Sequence, residues 1–131
     1  RVNVGSILKA RGISMEAHNS ADKKTDRSGR VARLLVNLTL VENELAARGP
    51  VEVFVRVFDP DGKQLFDGKG ASFEYEGEVL SATASREVDY QGEEIDLGIY
   101  VNNIDVFTKG VYTVEAYTSQ SRLGSAELLL R

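Results

Sequence analysis

Three adjoining pieces decide the fold class: Lys109-Gly-Val-Tyr-Thr-Val-Glu-Ala-Tyr117, Thr118-Ser-Gln-Ser-Arg122 and Leu123-Gly-Ser-Ala-Glu-Leu-Leu-Leu-Arg131. In the first, Tyr112, Val114 and Ala116 alternate with Val111, Thr113, Glu115 and Tyr117. A period of two fits a half-buried strand, because successive side chains on a strand point to opposite faces. The polar middle piece is short enough to make its neighbours antiparallel. The stretch therefore predicts a closing β-hairpin, to which the rest of the chain can be fitted.

Working outward, Ala32, Leu34, Val36, Leu38 and Leu40 form the clearest apolar alternation. Val51, Val53, Val55 and Val57 form another, with Phe54 and Phe58 flanking Arg56 on the opposite face. Bulk on both faces predicts a strand central in its sheet. Ile95, Leu97, Ile99 and Val101 repeat the pattern, and Phe73 and Tyr75 are expected to point inward. Residues 64–66 read as a short strand. Residues 79–90 read as one long, weakly apolar, edge-like strand that changes sheets near its Ala/Ser stretch. Residues 2–4 and 6–17 carry β-type pieces interrupted by Gly5 and Gly12, where a bulge or a bend between sheets is expected. Asp59-Pro-Asp-Gly62, residues 67–70 and Gln91-Gly92 supply turns, and residues 102–105 a polar connection. About eight β-runs with no sustained helical period predict an all-β, antiparallel β-sandwich with Greek-key connections, formed by residues 1–131 as a single domain.

Composition narrows the function classes. The net charge of -4 and pI near 5.1 argue against general affinity for nucleic acid or anionic lipid. No apolar run is long enough to span a membrane as a helix, so no membrane insertion is expected. With no cysteine, disulfides and thiolate chemistry are excluded and the compartment stays open. The chain begins at Arg1 rather than Met, so an upstream segment is expected to have been removed or left out.

The stretch Gly110-Val-Tyr112-Thr-Val114 resembles the penultimate strand of immunoglobulin-like and fibronectin-like domains. In those, a Tyr just after a Gly-containing corner packs inward and bonds back to the backbone. The resemblance implies that role, a structural tyrosine corner, for Tyr112. Together with Val36-Asn-Leu-Thr-Leu-Val-Glu-Asn43, Val53-Phe-Val-Arg-Val-Phe-Asp-Pro-Asp-Gly62 and the closing hairpin, it makes roughly residues 31–131 similar to bacterial β-sandwich domains. These commonly stand at the C-terminal end of longer proteins and have no assigned chemistry. The Cys pair and core Trp of antibody-type domains are missing, so the resemblance implies a fold and not a function.

Chemistry is hard to place. The lone histidine, His18, excludes a multi-His metal site and weakens any Ser-His-acid arrangement. Asp59 and Asp61 lack the further oxygen ligands of a calcium loop, and Glu93 and Glu94 point to opposite faces of a strand. No catalytic, cofactor-binding or metal residue is therefore named, no cofactor is expected, and the protein reads as not an enzyme. Residues 19–30 form a polar loop in which Lys23, Lys24, Arg27 and Arg30, extended by Arg33, outweigh Asp22 and Asp26. It could meet a phosphate or an acidic partner. Without an interleaved aromatic for base stacking, the plainer reading is a solvated, disordered loop. The leading expectation is a structural or protein-interaction module with an unknown protein partner, no nucleic-acid partner, and a sheet edge open to homodimerisation. A carbohydrate-binding module using exposed Tyr100 and Tyr117 is the alternative, and a hydrolytic enzyme comes third.

Overall fold

A computed structural model describes residues 8–46, 48–66, 71–102, 106–119 and 121–131. The expected strand piece at 2–4, Gly5 with its bend, the turn at 67–70 and most of the connection at 102–105 lie outside the described residues. The strands are β1 (Ala10–His18), β2 (Lys24–Thr25), β3 (Arg33–Leu40), β4 (Gly49–Phe58), β5 (Ala71–Tyr75), β6 (Glu78–Ala82), β7 (Ala84–Tyr90), β8 (Ile95–Val101), β9 (Gly110–Tyr117) and β10 (Arg122–Leu130). Every pairing among them is antiparallel. They form one sheet in the order β2-β1-β3-β8, a second in the order β10-β9-β4-β7, and the separate hairpin β5-β6.

The alternating apolar residues account for the core. Leu34, Val36, Leu38 and Leu40 of β3 and Val53, Val55 and Val57 of β4 are buried in one cluster with Leu97, Ile99, Val101, Tyr112, Val114 and Ala116. Each aliphatic side chain of this kind contributes about 1.5–3 kcal/mol by leaving water. The two four-stranded sheets curl round this shared core and approach along one side, where β1 lies against β10. The result is a half-closed barrel.

Among the described residues, ten strands in three sheets replace the expected eight or so, for identifiable reasons. The long run at 79–90 is broken at Thr83, so that β6 pairs with β5 while β7 pairs with β4. The anticipated change of sheet occurs at that break. Thr83 is buried there, donating its hydroxyl to the Leu65 carbonyl at 2.8 Å and accepting from the Val57 amide at 3.0 Å. Residues 64–66 form only an isolated bridge between Phe58 and Gln64. In β1 the register slips between Arg11 and Ser14, at Gly12 with φ of 64°. This is a bulge within a single sheet, since both ends of β1 still pair with β3.

A further difference concerns the outer face of the second sheet. Phe73 does not join the main core. It stacks on Phe54 with ring centroids 4.3 Å apart, in a second cluster with Ala82 and Tyr117, against which Tyr75 and Leu80 pack. The β5-β6 hairpin thus covers the outer face of β4 and β9.

Candidate functional site

The segment expected to be a disordered loop is ordered by its own polar residues. The Asn19 side-chain oxygen accepts from the amides of Ala21 at 2.9 Å and Lys23 at 3.0 Å, which closes a tight turn. Asp22 lies in that turn with φ of 63°. Its carboxylate accepts from the Arg33 guanidinium at 2.6 Å and lies 3.2 Å from His18 Nδ1. His18 Nε2 is 3.0 Å from Glu16. The hydrogen bonds to Glu16 and then to Asp22 raise the imidazole pKa above its ordinary 6.5 against the pull of desolvation. The bonds from His18 and Arg33 lower the Asp22 pKa in turn. The chain then returns to the sheet, because β2 pairs Thr25 with Ala17 and Lys24 with His18.

Beyond β2 the segment is fastened to the end of β10. The Ser28 amide donates to the Arg131 carbonyl at 2.8 Å, and the Arg131 amide donates to the Asp26 carbonyl at 2.7 Å. The Arg131 side chain closes on the Asp26 carboxylate through Nε at 3.0 Å and through Nη2 at 2.7 Å. Between these contacts Ser28–Arg30 forms a 3-10 turn. The outcome is an open depression of about 580 Å³ lined by Arg27, Ser28, Gly29, Arg30, Lys109 and Arg131. It sits at the end of the molecule where β3 and β9 begin and β1 and β10 finish.

Four cationic side chains around one depression concentrate positive charge on a chain whose total is -4. Asp26 offsets one of them, Arg131. Arg27, Arg30 and Lys109 are exposed and have no ion pair among the described residues. Such a group suits an anion with several acceptor oxygens, and guanidinium forks match phosphate in particular. No cluster of three or more His, Cys, Asp or Glu side chains able to hold a metal exists among the described residues. Asp59 uses its carboxylate to tie its own turn, accepting from the amides of Asp61 at 2.9 Å and Lys63 at 2.8 Å.

The structure separates the tyrosines expected to act together. Tyr100 is 48% exposed on the outer face of β8, with the His18 ring edge-on at 6.4 Å and the Arg33 guanidinium 5.1 Å from its ring centre. Tyr117, expected to be exposed, is buried. Its strand alternation is as anticipated, but the β5-β6 hairpin covers that face, and the Tyr117 hydroxyl donates to Glu115 at 3.2 Å. The two residues lie on different sheets and form no common platform. Tyr112 is buried, and its hydroxyl accepts from the Thr108 amide at 2.8 Å. Lys109 and Arg131 were not among the expected site residues. Their only sequence signal was charge at the two ends of the closing hairpin.

Fold and depression together define an antiparallel all-β domain with a basic depression at one end of its sheets. The chain belongs to the family described as Domain of unknown function (DUF8428), which matches residues 9–131. No curated protein matches it. Among solved structures it is similar to the Pseudomonas fluorescens alkylpurine DNA glycosylase AlkC bound to DNA containing an abasic site analog, with a TM-score of 0.53 and 16% identity over 95% of this chain. The matched stretch is 30% of that chain, and at this identity the likeness is one of fold. It nonetheless corrects two expectations. A structural or protein-interaction module without a nucleic-acid partner was inferred from average charge and the lack of a motif. The same fold occurs within a DNA-bound enzyme, and the average concealed a local basic site.

Proposed function

We propose that this domain binds the phosphate backbone of nucleic acid through the depression formed by Arg27, Arg30, Lys109 and Arg131, as one part of a longer protein that acts on DNA. The observation that carries the reading is the convergence of these four cations from three separate parts of the chain. The likeness to a DNA-bound protein supports it, since the matched stretch there is also one portion of a longer chain. Backbone contacts need no sequence motif. They draw on counterion release and fall away steeply with salt.

The finer fold reading belongs to the same proposal: residues 1–131 form one immunoglobulin-like or fibronectin-like sandwich. The bond from the Thr108 amide to the Tyr112 hydroxyl, four residues upstream, supports it as a tyrosine corner. The division of the long strands supports it as well, with β1, β3 and β8 in one sheet and β4, β7, β9 and β10 in the other.

The test is a fluorescence-anisotropy titration of a labelled oligonucleotide at several salt concentrations, with the wild-type chain and with Arg30→Ala and Lys109→Ala. The expected result is binding whose affinity falls with salt, with a slope near 0.7–0.9 per phosphate engaged. Each substitution should weaken binding and flatten the slope. Absence of binding at low salt, or binding indifferent to both substitutions, would overturn the reading.

A further inference from the structure

We infer that the site takes single-stranded rather than duplex nucleic acid, with Tyr100 stacking on a base of the strand whose phosphates occupy the basic depression. The inference rests on the phosphate reading above and adds the class of ligand. Its basis is the position of Tyr100. Ile99 and Val101 point into the core, so Tyr100 points outward, and it stays 48% exposed although large and aromatic. The register of β8 on β3 pairs Val101 with Leu34 and Tyr100 with Leu35, which puts Tyr100 at the same end of the sheet as the depression. Arg33 links the two. Its guanidinium lies 5.1 Å from the Tyr100 ring centre, and its backbone is three residues from Arg30, a span of at most about 11 Å. One short strand can therefore reach both.

The ring is held in place. His18 and the ring meet in a T-shaped contact, and Asp22 holds Arg33 over the ring through the 2.6 Å bond. A fixed aromatic beside a cationic track is the physical pattern of single-strand binding, where bases stack on side chains while cations follow the backbone. In a duplex the base faces are stacked on one another and closed to such a ring. The sequence hid this pairing because Tyr100 is 67 residues from Arg33 and only the β3-β8 register brings them together.

The test compares a labelled single-stranded 12-mer with the same sequence as a duplex, at one salt concentration, using the whole chain. Wild type should bind the single strand more tightly. Tyr100→Ala should weaken single-strand binding about fivefold or more and leave duplex binding unchanged, while Tyr100→Phe and Tyr100→Trp retain the wild-type preference. Duplex binding equal to or tighter than single-strand binding would reject the inference. So would a Tyr100→Ala chain that binds the single strand as wild type does. If Lys109→Ala weakened both ligands in those cases, the phosphate reading would survive alone. If wild type bound neither ligand, both would fall.

Discussion

Asp26 and Arg131 grip one another twice, by backbone and by side chain. The Arg131 amide donates to the Asp26 carbonyl at 2.7 Å, and the Arg131 guanidinium approaches the Asp26 carboxylate at the same 2.7 Å. The backbone bond builds the site, while the carboxylate places a negative charge beside its cations. Asp26→Asn keeps the backbone bond and removes the charge. It should tighten oligonucleotide binding severalfold at low salt and steepen the salt dependence by up to about 0.9. Salt-dependent anisotropy titrations check this, and unchanged affinity would show that Asp26 does not oppose the ligand.

Thr83 gives a prediction about stability. Its hydroxyl satisfies the Val57 amide and the Leu65 carbonyl where the chain passes from one sheet to another. Thr83→Val keeps the volume but leaves both groups buried and unpaired. The loss should be about 2–6 kcal/mol, at about 1–3 kcal/mol for each of the two orphaned groups. Thr83→Ser should be much milder. Urea denaturation of the three chains separates a hydrogen-bond effect from a packing effect.

Tyr112→Phe removes the hydroxyl that accepts from the Thr108 amide while leaving the buried ring in place. A loss of about 1 kcal/mol is expected, with the denaturation midpoint lowered and the slope unchanged. No change in midpoint would mean that the corner is held by the ring alone.

His18 makes stability depend on pH. Its pKa is raised in the folded chain above the ordinary 6.5, so the contribution is complete below that value and is lost as pH rises through the folded pKa. Asp22 acts in the opposite direction: its pKa is lowered, and its contribution disappears as acid carries pH down through the folded value. Both groups are near the surface, so the effect is small and weakened by salt. Thermal melts of wild type and His18→Gln between pH 5 and pH 9 should converge as pH rises above the histidine range. Parallel curves would contradict the pairing with Glu16 and Asp22.

Much of the fold was legible because alternation is local. Val36, Val55, Ile99, Tyr112 and Val114 face the core as their period of two requires. What failed depended on distant contacts. Tyr117 alternates outward as read, yet a hairpin from forty residues earlier in the chain covers it. The site failed for a related reason. Arg27 and Arg30 were visible as a charged run, but Lys109 and Arg131 join them only through the pairing of β9 with β10 and the seam to Asp26. Net charge, a sum over the whole surface, was blind to that gathering.

The seam between residue 26 and residue 131 also sets when the site can exist. During synthesis the segment bearing Arg27 and Arg30 emerges about a hundred residues before its partner. Until β10 is in place, the depression has no second wall. Once β10 docks, a polyanion bound as proposed would in turn favour the folded state by mass action. Under the proposed reading, the site is complete only when β10 has docked beside the segment that carries Arg27 and Arg30.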